Sequence, residues 1–130
     1  MCPSEVPVER PTILVVEDDD VVRRVICRAL WLAGYRTLEA RRGPEALQLI
    51  ESPESSVDLV ITDIVMPEME GWELGRRIGE RWPEVPVLYI SSYEQGDILH
   101  RGPAQPRVPF LQKPFRPNAL LEKVKALLGR

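Results

Sequence analysis

Short apolar runs rich in β-branched residues recur along this chain, and between them lie stretches whose apolar residues return every three or four positions. This alternation limits the fold more than any other feature. Ile13-Leu14-Val15-Val16 has no polar face, the pattern of a strand covered on both sides. Val22, Val25, Ile26, Ala29, Leu30 and Ala33 then form a helical stripe, with Asp19 or Asp20 placed to cap its start and Gly34 to end it. Thr37 to Ala40 alternates apolar and polar residues and suits an edge strand. Gly43-Pro44 opens a second helix with Ala46, Leu47 and Ile50 on one face. Leu59 to Thr62 reads as the third strand. Leu74, Ile78 and Trp82 mark a third helix that stops before Pro83 and is weakened by Gly75 and Gly79. Val87 to Ile90 and Phe110 to Gln112 read as the fourth and fifth strands. A last helix from Pro117 carries Leu120, Leu121, Val124, Leu127 and Leu128. Strands alternating with helices predict an α/β fold: a parallel sheet, right-handed crossovers and helices on both faces.

Two segments break the rhythm. Residues 1–11 hold Pro3, Pro7 and Pro11 without periodicity and are expected to form a flexible leader, with the folded domain over 12–129. Tyr93 to Pro109 contains Gly96, Gly102, Pro103, Pro106 and Pro109, so a helix near Glu94–His100 is expected to be short or irregular.

At 130 residues the chain matches one domain. Its 17 Lys and Arg against 20 Asp and Glu give a net charge of −3, which argues against a nucleic-acid surface. No apolar run approaches the roughly 20 residues that cross a bilayer, so no membrane contact is expected. Glu5, Glu9 and three prolines near the start leave no signal-like segment. Cys2 and Cys27 make neither a disulfide framework nor a zinc site. A cytoplasmic protein is the simplest expectation.

In open α/β sheets, ligands bind beyond the carboxyl ends of the strands. Here those ends carry Glu17-Asp18-Asp19-Asp20 after the first strand, Asp63 after the third, Ser91-Ser92 after the fourth and Lys113-Pro114 after the fifth. Glu17, Asp18 and Asp63 form a hard oxygen set suited to Mg²⁺, and without a cation their mutual repulsion raises pKa values. A carboxylate also attacks phosphorus to give an aspartyl phosphate. That transfer asks for positioning and charge neutralisation, which Lys113 and the Ser91 hydroxyl supply. Taken singly each residue has a plainer reading. The acidic run serves as a helix cap, Asp63 as a turn residue, Ser91 as a loop start, and Lys113 as a solvated lysine. Their order on one rim favours the joint reading.

These residues resemble the receiver domain of two-component response regulators over roughly residues 11–129. The resemblance rests on Ile13-Leu14-Val15-Val16-Glu17-Asp18-Asp19, on Asp63-Ile64-Val65-Met66-Pro67-Glu68-Met69-Glu70-Gly71, on Val87-Leu88-Tyr89-Ile90-Ser91-Ser92 and on Lys113-Pro114-Phe115. The stretch Val108 to Phe115 is similar to the C-terminal receivers of hybrid sensor histidine kinases. The resemblance implies a flavodoxin-like doubly wound sheet of five parallel strands in the order 2-1-3-4-5. It implies Asp63 as phosphoacceptor, and Mg²⁺ held by Asp18, Asp63 and the Val65 carbonyl, with Glu17 acting through water. Ser91 and Phe110 are implied as the switch pair, and Lys113 as the salt-bridge partner, its bond to Pro114 cis. A histidine kinase is the implied phosphodonor. A histidine phosphotransfer protein or another protein target is the implied receiver of the signal.

Departures from the family qualify this. Phe110 has no hydroxyl to satisfy when its ring turns inward, so its report of phosphorylation is expected to be weak. The interrupted stretch before Pro109 puts dimerisation through that face in doubt. Val65 and Tyr93 are bulky and non-acidic, which predicts slow self-dephosphorylation. His100 reads as a loop residue, Cys27 as a small core residue, and Trp72 as a neighbour of the site. With no residues left over for an output domain, the expected role is a phosphoacceptor signalling domain, not an enzyme. The rivals are a degenerate receiver acting as a scaffold and a small Mg²⁺-dependent aspartyl-phosphate phosphatase. The second usually needs an acid where Val65 stands.

Overall fold

A computed structural model describes residues 10–66, 68–91 and 109–129. Five parallel strands form one sheet: β1 (Thr12–Val16), β2 (Arg36–Ala40), β3 (Val57–Asp63), β4 (Val87–Ser91) and β5 (Phe110–Gln112). Their spatial order is β2-β1-β3-β4-β5, the flavodoxin-like winding that was expected. The helices among the described residues are α1 (Asp20–Leu32), α2 (Gly43–Glu51), α3 (Gly71–Arg81) and α4 (Pro117–Leu128).

Alternation along the strands splits the core into two layers. Ile13, Val15, Leu59, Ile61, Leu88, Ile90 and Leu111 pack with Ile26, Cys27 and Leu30 of α1 and Leu120 and Val124 of α4. Leu14, Val16 and Val60 face the other way, onto Ala46 and Ile50 of α2 and Leu74 and Ile78 of α3. Both faces of β1 are therefore dry, and all five of its residues are buried. β2, at the edge, is half-exposed.

Local chemistry sets the ends of the elements. Asp19 caps α1 by accepting from the amides of Val21 and Val22. At its other end, Gly34 takes φ +97° while Tyr35 N donates to Leu30 O and Gly34 N to Trp31 O. This is the paired bond pattern that stops a helix with a left-handed residue.

Several boundaries differ from the sequence expectation by one or more residues. The third strand starts at Val57, before Leu59, because Val57 pairs with Thr12 of β1. The third helix starts at Gly71, ahead of its first apolar marker Leu74. Trp82 is its C-cap and not a helical residue, half-buried against the α2–α3 layer with the Arg81 guanidinium 4.5 Å above its ring. Gly75 is no defect in this helix. A Cβ there would lie 1.9 Å from the Tyr89 hydroxyl, so its bareness admits the tyrosine, whose ring also meets Trp72 at 4.5 Å. Most of the expected leader, the short helix near Glu94–His100, and Ser92, Tyr93, His100 and Cys2 lie outside the described residues.

Candidate functional site

Strand parallelism gathers the acids. β1 and β3 are neighbours in register, Val16 opposite Thr62, so Glu17 and Asp63 end adjacent strands on one rim. Glu17, Asp18 and Asp63 each present a carboxylate oxygen, all within 4.8 Å of one another. Glu17 and Asp63 are buried, and Asp18 is exposed at the mouth. Lys113 reaches across from the end of β5, its Nζ 3.1 Å from Glu17 Oε1 and 3.2 Å from Asp63 Oδ2. Its own amide donates to Ser91 O at 2.6 Å, and the Lys113–Pro114 bond is cis, as the resemblance implied.

The electrostatics are unbalanced. Among the described residues, the three clustered carboxylates are met by one ammonium, that of Lys113, which pairs with Glu17 and Asp63. Burial and the neighbouring Asp63 charge push the Glu17 carboxyl up to about 7, against the partial relief from Lys113 and from the Asp19 amide. Burial works to lower the Lys113 ammonium, but Asp63 and Glu17 outweigh it and hold it above its ordinary value. The donor set is all oxygen, compact and short of positive charge. Those are the terms a divalent hard cation meets, with its remaining positions open to water or phosphate.

The loop after β3 is shaped by a close approach. Asp63 Oδ1 accepts from Ile64 N at 2.7 Å, leaving Oδ2 toward Lys113. Gly71 N donates to Ile64 O at 2.7 Å, and a Cβ on Gly71 would stand 2.2 Å from the Asp63 carbonyl oxygen. Only glycine lets α3 begin that near β3. Val65 lies in this loop and is 38% exposed. Arg42 pairs with Glu68 at 3.0 Å from the α2 side.

Ser91 is fully buried at the end of β4, one position beyond Ile90, the register partner of Asp63. Phe110 begins β5 opposite Tyr89 and is half-buried. Glu17, Asp18, Asp63 and Lys113 thus meet directly, while Ser91 shares their rim and Phe110 starts the edge strand beside it. Trp72, the expected neighbour of the site, stands in the first turn of α3 with its indole Nε1 buried and without a hydrogen-bond partner among the described residues.

The sequence reading passed over Arg23. It falls on the inward side of α1 between Val22 and Ile26 and is buried there, 9% exposed. The signal available was an arginine on the buried stripe, one turn after four acids.

A doubly wound sheet whose carboxyl rim joins an acid pair, a buried aspartate and a lysine defines a class of phosphate-handling signalling folds. The chain belongs to the response regulator receiver domain family, whose profile matches residues 13–125. It is 39% identical over 119 residues to the sensor kinase CckA of Brucella abortus (strain 2308), covering 92% of this chain but 13% of that protein. It is 34% identical over 116 residues to the response regulator receiver protein CpdR of the same strain, covering 89% of this chain and 95% of that protein. Among solved structures, the receiver domain of the hybrid histidine kinase CckA matches with a TM-score of 0.73 at 39% identity, over 90% of this chain and 98% of that one. The chain is a receiver domain of two-component signalling. No helix among the described residues is long and apolar enough to cross a membrane.

Proposed function

We propose that Asp63 is the phosphoacceptor, taking a phosphoryl group from a phosphohistidine of a histidine kinase. The observation that carries this is the position of its Oδ2, buried on the sheet rim 3.2 Å from Lys113 Nζ and within 4.8 Å of Glu17 and Asp18 oxygens. The transfer breaks the phosphohistidine P–N bond and forms an Asp63 O–P bond. No water enters, and the imidazole leaves with its electron pair. Asp63 Oδ1, tied to Ile64 N, orients the carboxylate so that the other oxygen faces the donor. Lys113 moves from a carboxylate partner to a phosphoryl partner, and the Ser91 hydroxyl at the end of β4 donates to the same group. Glu17, Asp18, Asp63 and the Val65 carbonyl are the Mg²⁺ ligands in this reading, Glu17 through water. When bound, the cation neutralises charge on the transferring phosphoryl oxygens.

Phosphorylation adds about −1.5 to −2 charges at the rim. That charge attracts the Lys113 ammonium and the Ser91 hydroxyl, and Phe110 at the start of β5 moves with them. The altered surface is read by a protein partner, or the phosphoryl group passes on to a histidine phosphotransfer protein. The domain turns over no separate substrate: the position two residues after Asp63, where an aspartyl phosphatase keeps its acid, holds Val65. A cytoplasmic setting follows from the donor, since phosphohistidine is made where ATP is.

Intact-mass spectrometry after incubation with acetyl phosphate tests the reading. The expected result is a Mg²⁺-dependent gain of one phosphoryl group, about 80 Da, that is absent in Asp63→Asn. A gain that survives Asp63→Asn, or none in the wild type with either acetyl phosphate or a phosphorylated kinase, overturns it.

A further inference from the structure

The side chain of Arg23 is 10% exposed, and each of its nitrogens goes to a different place. Nη1 donates to the Glu17 carbonyl oxygen at 2.9 Å, in a buried contact. Nε donates to Glu39 Oε1 on β2 at 2.9 Å, and Nη2 to Asp20 Oδ1 at 2.7 Å. The planar guanidinium therefore joins the end of β1, the edge strand and the first turn of α1.

We propose that Arg23 is a positioning residue for the metal site, fixing the peptide unit between Glu17 and Asp18 and thereby the direction of both carboxylates. The proposal rests on the Mg²⁺ reading above. The Glu17 carbonyl and the Asp18 amide belong to one planar group, so holding that oxygen holds the Cα atoms on both sides. The rest of the turn is already tied: Glu17 N donates to Ala40 O at 3.0 Å, Asp19 N to Glu17 Oε2 at 3.1 Å, and Arg23 N to Asp19 O at 2.9 Å. Arg23 Nη1 supplies the remaining restraint, on the unit that bears the two acids.

The same guanidinium sorts the acidic run. Asp20 offers Oδ1 to Arg23, and Arg41 grips both of its oxygens at 2.6 and 2.8 Å. Asp20 is thus turned toward arginine, while Glu17 and Asp18 meet Asp63. Of four consecutive acids, one is taken out of the cluster by its partners and one, Asp19, is spent on the helix cap.

Arg23→Lys keeps the charge and most of the stem but replaces a rigid fork with a single ammonium. Magnesium binding by isothermal titration calorimetry, with MgCl₂ as the titrant, is expected to weaken about tenfold, the usual scale for losing a group that orients a ligand. In the metal-free protein, hydrogen exchange at the Asp19 amide is expected to quicken, because its acceptor Glu17 is loosened. Phosphorylation by acetyl phosphate is expected to return toward the wild-type rate as Mg²⁺ approaches saturation, which a residue touching the phosphoryl group would not allow. If Arg23→Lys does not fold, Glu39→Gln removes the outward anchor at a half-exposed edge position, and a smaller loss of Mg²⁺ affinity is expected. Wild-type affinity in a folded Arg23→Lys, or in Glu39→Gln where the first variant fails to fold, overturns the role of Arg23 alone. A wild type that binds no Mg²⁺ overturns the metal reading and this proposal with it.

Discussion

Helices α1 and α3 both begin at the rim that carries Asp63, and they are fastened there by opposite means. α1 uses side chains: Asp19 caps its first amides, and Arg23 ties it to the Glu17 carbonyl and to β2. α3 uses the lack of one: its N-cap Glu70 makes no side-chain capping bond, and bare Gly71 lets the backbone touch the end of β3. The arginines differ in the same way. Arg76 and Arg77 pair with Glu73 and Glu80 at 2.7–2.8 Å, as short as the bonds of Arg23. Arg76 is 56% exposed, however, and its pairs decorate one solvated helix face. Distance alone therefore ranks these ion pairs equal, and burial ranks them far apart. A buried guanidinium that links three elements specifies geometry, whereas an exposed one adds a few tenths of a kilocalorie.

Three substitutions and one titration sharpen this contrast. The largest effect is expected at the glycine: Gly71→Ala sets a methyl against the fixed backbone of Asp63 and Ile64. It should cost about 3 kcal/mol by urea denaturation. A loss below about 1 kcal/mol would mean that the β3–α3 loop yields easily and the close approach does not hold α3.

Next comes the pair of arginines. Arg23→Met leaves the buried Glu17 carbonyl without its donor and is expected to lower stability by about 2 kcal/mol. Arg76→Met should stay within about 0.5 kcal/mol of wild type. Equal midpoints for the two variants would show that the ranking by burial is mistaken.

The smallest effect is on acid titration. Asp20, through Arg41 and Arg23, and Glu73, through Arg76 and Arg77, are each held down to about 2. Both are thus ionised in the folded protein at pH values where the unfolded chain takes up protons. Their contribution is present above the ordinary carboxylate range and is lost as pH falls toward 2. Salt of about 1 M screens exposed charges beyond roughly 3 Å. Carboxylate NMR titration should then move Glu73 back toward its ordinary value more than Asp20, whose partner Arg23 is buried. A larger return for Asp20 would break the comparison.

Much of this was legible in the residues. The apolar runs named the inner strands, because a parallel strand covered on both faces has nowhere to put a polar side chain, and alternation named the half-exposed edge strand β2. The four strand ends announced the rim, since ligands gather where parallel strands finish. Boundaries were less legible. Val57 belongs to β3 because Thr12 lies opposite it, and the start of α3 at Gly71 depends on how close β3 stands. In the sequence Gly75 weakens a helix, but in the fold the space it leaves is filled by the Tyr89 hydroxyl.

The acidic run shows the division most plainly. Composition and order alone determined that carboxylates, a hydroxyl and a lysine would share one edge of a parallel sheet. They did not determine which acid does what. Asp19 caps, Asp20 pairs with arginines, and Glu17 and Asp18 turn to Asp63. Four neighbouring carboxylates are chemically alike. Their roles separate only when Arg23, Arg41 and Lys113 arrive from other parts of the chain, because a charge takes its direction from the partners that the fold places around it.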